Sequence, residues 1–226
     1  MKIENIYVYN FFNAIYAIRN AHKSWDKADS NCLKQNYPLS NIFFSNNEIK
    51  NTKIDFEKMC GKKDLELCIK LIKAGTEHRK FLRQILFNMN ITAPLYFWRQ
   101  FDTYKIGITQ NSTSTMHCIL KSKITIDDFN LTDIEDKNIY DDVIAQINFY
   151  IKYKDKIKNV IEIISQILPS GYLQMRTITG NYENLLNILS QRKKHKLSEW
   201  HKFCDIILNE FPFLDIFFNA LKNDVI

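Results

Sequence analysis

Between residues 84 and 92 apolar side chains fall on every second position. Ile85, Phe87, Met89 and Ile91 alternate with Leu86, Asn88 and Asn90. Period two marks a strand with one buried face. A strand of this kind is stable only beside partner strands and under a covering layer, so the run restricts the chain to folds that contain a sheet. The same residues also suit the end of a long helix that starts near Glu77, and the pattern alone leaves both readings open. Pro94 follows, then Leu95 to Phe101. Proline favours the start of a helix, so a short aromatic helix is expected there.

Most of the remaining pattern is helical. Residues 5 to 25 place Phe12, Ile15, Tyr16, Ile18 and Trp25 at spacings near three and four. Asp64 is expected to cap a helix over Leu65 to Ala74 that Gly75 stops. The longest apolar periodicity covers 138 to 168 and ends at Pro169-Ser170-Gly171. Further helices are expected from Tyr182 to Lys194 and from Ser198 to Asn209, with an apolar stretch, Phe211 to Leu221, docked on the core. Residues 26 to 62, with Pro38 and Asn46-Asn47, read as a surface loop with one short helix. Residues 105 to 118 read as a polar loop, 121 to 126 as a short strand and 127 to 137 as an acidic loop. These elements predict an α+β fold: a small antiparallel sheet surrounded by helices, with a helical C-terminal part, as a single domain over 1–226.

Composition narrows the functional classes. Of 226 residues, 46% are hydrophobic and 13% aromatic, which excludes general disorder, and 5 Gly with 4 Pro exclude a collagen-like chain. No apolar run reaches the length of a membrane helix and the N-terminus lacks a signal-peptide pattern, so a cytoplasmic protein without a membrane partner is expected. Five scattered Cys without a C-x-x-C pair suggest free thiols. The net charge of +6 weakly favours an anionic ligand, and no nucleic-acid partner is expected from it. The richness in Lys, Asn and Ile suggests an AT-rich genome, such as that of a low-GC bacterium or its phage.

No metal set, G-x-G-x-x-G or P-loop is present. His78 and Arg79, after Glu77, suit a charged helix start as well as a site. Trp98-Arg99-Gln100-Phe101 suits a core helix with an Arg reaching solvent. The run Asn111-Ser112-Thr113-Ser114-Thr115 suits a capped turn or a donor-rich cradle for a phosphate or carbonyl. Arg192 to Lys196 ends a helix, where cations complement the macrodipole.

The order of these pieces resembles the flavin-dependent thymidylate synthase family in a strongly diverged form. Ala14 to Trp25 is similar to the family's N-terminal Ala-rich helix. Gly75-Thr76-Glu77-His78-Arg79-Lys80-Phe81 resembles a shortened form of its Gly, Glu-His and Phe block. Gln100-Phe101 matches the lead-in to the signature R-H-R-x-x-S-x-N-E-x-S-x-R. Thr103-Tyr104-Lys105 stands where R-H-R would be, and Asn111 to Met116 replaces the rest, keeping Asn111 and Ser114. Leu168-Pro169, Asn181, Asn187 and Arg192 match the C-terminal block in order and spacing. Thr103, Met116 and Ser165 occupy positions where the family carries Arg.

The resemblance implies a pyrimidine nucleotide as ligand, and FAD as cofactor. If the protein is active, it implies a methyltransferase that acts on a uridine nucleotide and consumes reduced nicotinamide and folate. Arg192 takes the catalytic place, polarising the uracil carbonyl. Gln100, Lys105, Ser112, Ser114 and Arg192 are the implied substrate contacts. His78, Asn111, Asn181, Asn187 and His195 are the implied flavin contacts or neighbours. Arg79, Arg99, Lys105 and Arg176 are candidates to replace the missing cations. A homotetramer is also implied. Three readings stand: a flavoenzyme, a non-catalytic nucleotide-binding protein, and a structural or partner-binding protein of the same fold.

Overall fold

A computed structural model describes residues 1–30, 42–43, 59–132, 134–136 and 138–222, with backbone only at 42–43. They divide into two compact units. The first comprises 1–2, 91–103 and 110–177, and the second 3–90, 104–109 and 178–226. A five-stranded sheet has the order β2-β1-β3-β5-β4, with β1 at Lys2–Tyr9, β2 at Ile42–Phe43, β3 at Leu86–Pro94, β4 at Thr109–Ser112 and β5 at Leu173–Asn181.

Hydrogen bonds at the strand ends fix the directions. β1 and β2 are antiparallel, with Tyr7 opposite Phe43. Asn10 Nδ2 donates to Gln84 O at 3.1 Å, so the end of β1 lies beside the start of β3. Leu95 N donates to Tyr172 O and Tyr182 N to Ile85 O, both at 3.0 Å, so β5 runs opposite to β3. The expected α+β fold with a small antiparallel sheet is present.

The alternation at 84–92 is a strand, and the long-helix reading is overturned. Phe87, Met89, Ile91 and Ala93 are buried, and a 3-10 turn, Lys80–Arg83, precedes the strand. The short aromatic helix α3 spans Leu95–Phe101, with Pro94 one residue before it.

In the second unit the expected helix over 5–25 is corrected. Residues 2–9 form β1, followed by helix α1, Phe11–Ala17, and two 3-10 turns. Asn5, at φ 51, takes a left-handed conformation, so the inward residues are Ile3, Ile6 and Val8. Such a bulge breaks strict period two and hides the strand from pattern reading. Helix α2, Lys62–Lys73, ends before Gly75 (φ +100) as expected. Asp64 does not cap it. Asp64 is fully buried and accepts from Arg19 Nε at 2.8 Å and from Ser30 N at 3.0 Å. The cap is supplied from afar by Asp29, which accepts from Lys63 N at 3.0 Å and Asp64 N at 3.1 Å. Most of the loop expected over 26–62 lies outside the described residues.

Helices α7 (Tyr182–Arg192), α8 (Ser198–Glu210) and α9 (Leu214–Lys222) complete this unit. α9 buries Leu214, Phe217 and Phe218 and packs on α2, so the expected docking of the last apolar stretch holds. Phe11 stacks on Phe213 at 5.6 Å and meets Tyr182 edge-on at 6.0 Å. Each such buried ring contributes about 1.5–3 kcal/mol. A Cβ on Gly180 would lie 2.9 Å from the Phe87 ring, so only glycine lets that ring approach β5.

In the first unit the long helix expected over 138–168 is two helices, α5 (Asp141–Lys152) and α6 (Val160–Ile167). Asn159, at φ 57, turns the chain between them. The break lets Ile147 and Ile151 meet Val160 and Ile164 in one core with Ile119, Ile124 and Phe129. A continuous helix would project those residues along a single stripe without a facing partner. The strand expected at 121–126 is absent. Ile124 is held instead by Asn148, which accepts from its N and donates to its O, each at 2.8 Å. The loop expected over 105–118 contains β4 and the short helix α4, Thr115–Cys118.

Among the described residues no helix is long and apolar enough to cross a membrane, and no cluster suits a metal. Cys60, Cys68, Cys118 and Cys204 are free thiols, and burial pushes Cys204 up to about 12.

Candidate functional site

Helix α7 organises the second unit's candidate site. Its N-cap, Asn181, forms a reciprocal capping box with Asn184, each side-chain oxygen accepting the other's backbone N–H at 3.1 Å. Asn184 Nδ2 also donates to Ile106 O at 2.9 Å, which pins the loop 104–107 along the helix. Gly107, at φ +74, makes this approach possible, since a Cβ there would lie 3.2 Å from Asn184 Oδ1.

At the other end of α7 the same loop delivers Tyr104. Its hydroxyl accepts from Arg192 Nε at 2.8 Å and donates to Gln191 Oε1 at 3.0 Å. The Arg192 guanidinium lies 4.8 Å from the centre of the Trp200 ring and 5.5 Å from that of Tyr104. Two rings and a phenol oxygen thus fix the plane of a half-buried cation. His195 meets Trp200 edge-on at 6.2 Å, and its Nδ1 accepts from Leu197 N at 3.1 Å. That bond selects the neutral ring with its proton on Nε2. Desolvation, with Arg192, His201 and Lys196 nearby, holds His195 below its ordinary value.

The structure therefore brings Arg192 and His195 together around Trp200. Lys105 is exposed on the loop beside Tyr104. Asn181 is engaged in the helix cap. Asn187 and His78 are exposed on α7 and in the turn after Gly75, where His78 N donates to Gly75 O at 3.0 Å. Its neighbour Arg79 is the engaged member of that block, donating to Glu183 Oε1 at 2.9 Å. Glu183 Oε2 is buried without a hydrogen bond.

The first unit carries Gln100 on α3, Asn111 and Ser112 exposed on β4, and Ser114 at the head of α4. Ser114 Oγ accepts from His117 N at 3.3 Å, so it serves as a cap. The charged centre of this unit is Arg176 on β5. Its Nη1 donates to Asp102 Oδ1 at 2.6 Å and Gln110 Oε1 at 2.8 Å, its Nε donates to Gln174 Oε1 at 3.0 Å, and the guanidinium lies 4.4 Å over Trp98. Of the candidate replacement cations, Arg79 and Arg176 are tied to carboxylates, whereas Arg99 and Lys105 are exposed.

The positions matching lost arginines do not turn donors outward. Thr103 Oγ1 donates to Gln100 O at 2.8 Å and Ser165 Oγ to Ile161 O at 2.7 Å, while Met116 exposes an apolar chain.

Residue reading did not find Tyr104 or Trp200. Trp200 follows closely on the helix that ends in Arg192, but Tyr104 lies 88 residues before that arginine, and only the fold shows that both meet it.

No protein-family profile and no curated protein matches the sequence. Solved structures do match. A crystal structure of thymidylate synthase X (ThyX) from Helicobacter pylori with FAD and dUMP matches with a TM-score of 0.70, at 16% identity, over 98% of this chain and 100% of that one. A second structure of the flavin-dependent H. pylori enzyme, also complexed with FAD and dUMP, gives 0.67 at 15% identity, with the same coverage. The chain has the fold of flavin-dependent thymidylate synthase.

Proposed function

We propose that this protein binds a pyrimidine nucleotide of the uridine monophosphate type without turning over a flavin. The observation that carries the reading is the orientation of Arg192 by Tyr104 and Trp200. A guanidinium whose plane is set before binding loses little freedom when it meets a carbonyl or phosphate oxygen, and its fork suits either group. The family resemblance puts this residue at the uracil carbonyl, and both matching structures hold dUMP. Lys105, Gln100, Ser112 and Ser114 are proposed as further nucleotide contacts.

Flavin chemistry is a poorer fit. The pyrophosphate of FAD calls for charge-assisted donors, each worth about 1.5–3 kcal/mol. Thr103 and Ser165 direct their hydroxyls to their own backbone, and Met116 has no donor. Asn181 is engaged in its capping box, which leaves His78, Asn111, Asn187 and His195 as the proposed flavin-side residues. These supply no fixed charge comparable with a guanidinium. The resemblance also leads us to propose a homotetramer, for which native mass spectrometry is the check.

The test is thermal unfolding with and without dUMP, on the native chain and on Arg192→Ala. A ligand at a hundredfold excess over its Kd stabilises by about 2.7 kcal/mol. That corresponds to a rise in Tm of roughly 5–10 °C in a chain of this size. The rise is expected in the native chain and absent from the variant. Equal shifts in both would remove Arg192 from the site, and no shift in either would overturn nucleotide binding. A flavin absorption spectrum retained after incubation with FAD and desalting, together with dUMP-dependent flavin oxidation, would replace this reading with the flavoenzyme.

A further inference from the structure

We infer that the turn between α5 and α6, with the loop before Ile124, is a binding surface for single-stranded nucleic acid. The chain's net charge of +6 is not spread evenly. Lys152 at the end of α5 and Lys154, Lys156 and Lys158 in the turn after it are all exposed. Lys154 Nζ donates to Leu120 O at 3.0 Å, and Asn148 holds Ile124 through both backbone groups at 2.8 Å. These bonds bring exposed Lys121 and Lys123 to the same end of the helical pair. Six lysines and a single acid, Asp155, lie within 121–123 and 152–158, so the two segments carry +5.

Aromatic rings are set among these charges. Phe149 is 54% exposed, tilted on Tyr153 at 4.9 Å and edge-on to Tyr150 at 5.7 Å. Lys152 Nζ lies 5.3 Å from the Tyr153 ring centre. Tyr150 packs against the core of Ile147, Ile151, Val160 and Ile164, whereas Phe149 and Tyr153 are not among the residues packed on it. Lysines that track a phosphate backbone beside an aromatic platform for unpaired bases are the two parts of a sequence-tolerant single-strand site. An anionic membrane is a weaker match. The apolar stripes of both helices face the core, so neither helix offers an apolar face for a bilayer.

The experiment is fluorescence polarisation of the full chain with a labelled 20-nucleotide oligothymidylate, across a salt series. A triple variant, Lys121→Ala, Lys156→Ala and Lys158→Ala, is compared with a charge-matched control on α2, Lys62→Ala, Lys70→Ala and Lys73→Ala. All six lysines are exposed. Losing three phosphate contacts should flatten the slope of log affinity against log salt by about 2. Phe149→Ala should weaken binding about tenfold, since a stacked base is worth about that much. The control should bind like the native chain. Equal weakening in the control would reduce the effect to net charge and overturn the surface. So would no binding at low salt, or preferential capture by phosphatidylserine vesicles.

Discussion

Two arginines in this molecule rest on tryptophans, and they are held in chemically opposite ways. Arg176 lies 4.4 Å over Trp98 and donates to the carboxylate of Asp102. Arg192 lies 4.8 Å over Trp200 and donates to the phenol of Tyr104. The carboxylate brings a negative charge to its arginine, whereas the phenol hydroxyl brings a neutral acceptor. The aromatic seat is the same, so the two arginines differ in the kind of acceptor that meets them beside it. Arg19, which donates to the fully buried Asp64, is the structural extreme.

That ordering can be broken from the structural end first. Asp64→Ala leaves Arg19 buried without its partner, and breaking a buried pair costs about 3–5 kcal/mol. Urea unfolding should show a loss of that size, and a loss below 1 kcal/mol would mean that the pair is not a keystone. Arg176→Met removes three side-chain hydrogen bonds and a cation–π contact while keeping bulk over Trp98. With Asp102 44% exposed, the loss should be nearer 2 kcal/mol, and the stabilisation by dUMP should survive. If that stabilisation vanished, the division between the two arginines would fail.

A smaller change sharpens the comparison at Arg192. Tyr104→Phe keeps the ring and deletes the oxygen that accepts from Nε. Stability should fall by about 1 kcal/mol, as for a half-exposed hydrogen bond. The affinity for dUMP should fall several-fold, because the guanidinium then loses its set plane. Calorimetric titration would give both the affinity and its entropy. Unchanged affinity would show that the Tyr104 hydroxyl does not set the plane of Arg192.

The sequence exposed the parts of this arrangement whose cause is local. The alternation at Phe87, Met89 and Ile91, the helix start at Pro94 and the helix that begins at Tyr182 all depend on neighbours a few residues away. What stayed hidden depends on distant partners. Asp64 looked like a cap because it precedes an apolar run, but Asp29, 34 residues before Lys63, caps the helix and frees Asp64 to meet Arg19. β1 was hidden by one left-handed residue, Asn5, and the helical pair by Asn159. Arg192 and His195, like the other proposed site residues, are named by the family resemblance. It could not show that Tyr104 and Trp200 surround them, or that Ser114 and Asn181 are engaged as caps.

The gentlest probe is His195, whose neutral form is favoured by desolvation and by the nearby Arg192, His201 and Lys196. Its folded value lies below the ordinary 6.5, so between the two values the unfolded chain binds more protons. The contribution of His195 to stability is therefore complete above pH 6.5 and is lost as pH falls through the folded value. His195→Gln retains a donor but does not titrate. The stability difference, native minus variant, should rise with pH through the window below 6.5 and level off above it. A difference that fell with rising pH there would mean that the folded state favours the charged ring, reversing the reading of Nδ1 as an acceptor. Repeated in Arg192→Ala, the rise should be shallower, because one of the charges that disfavours the imidazolium is gone. The titration of His195 thus reports whether the Arg192 charge is felt beside Trp200.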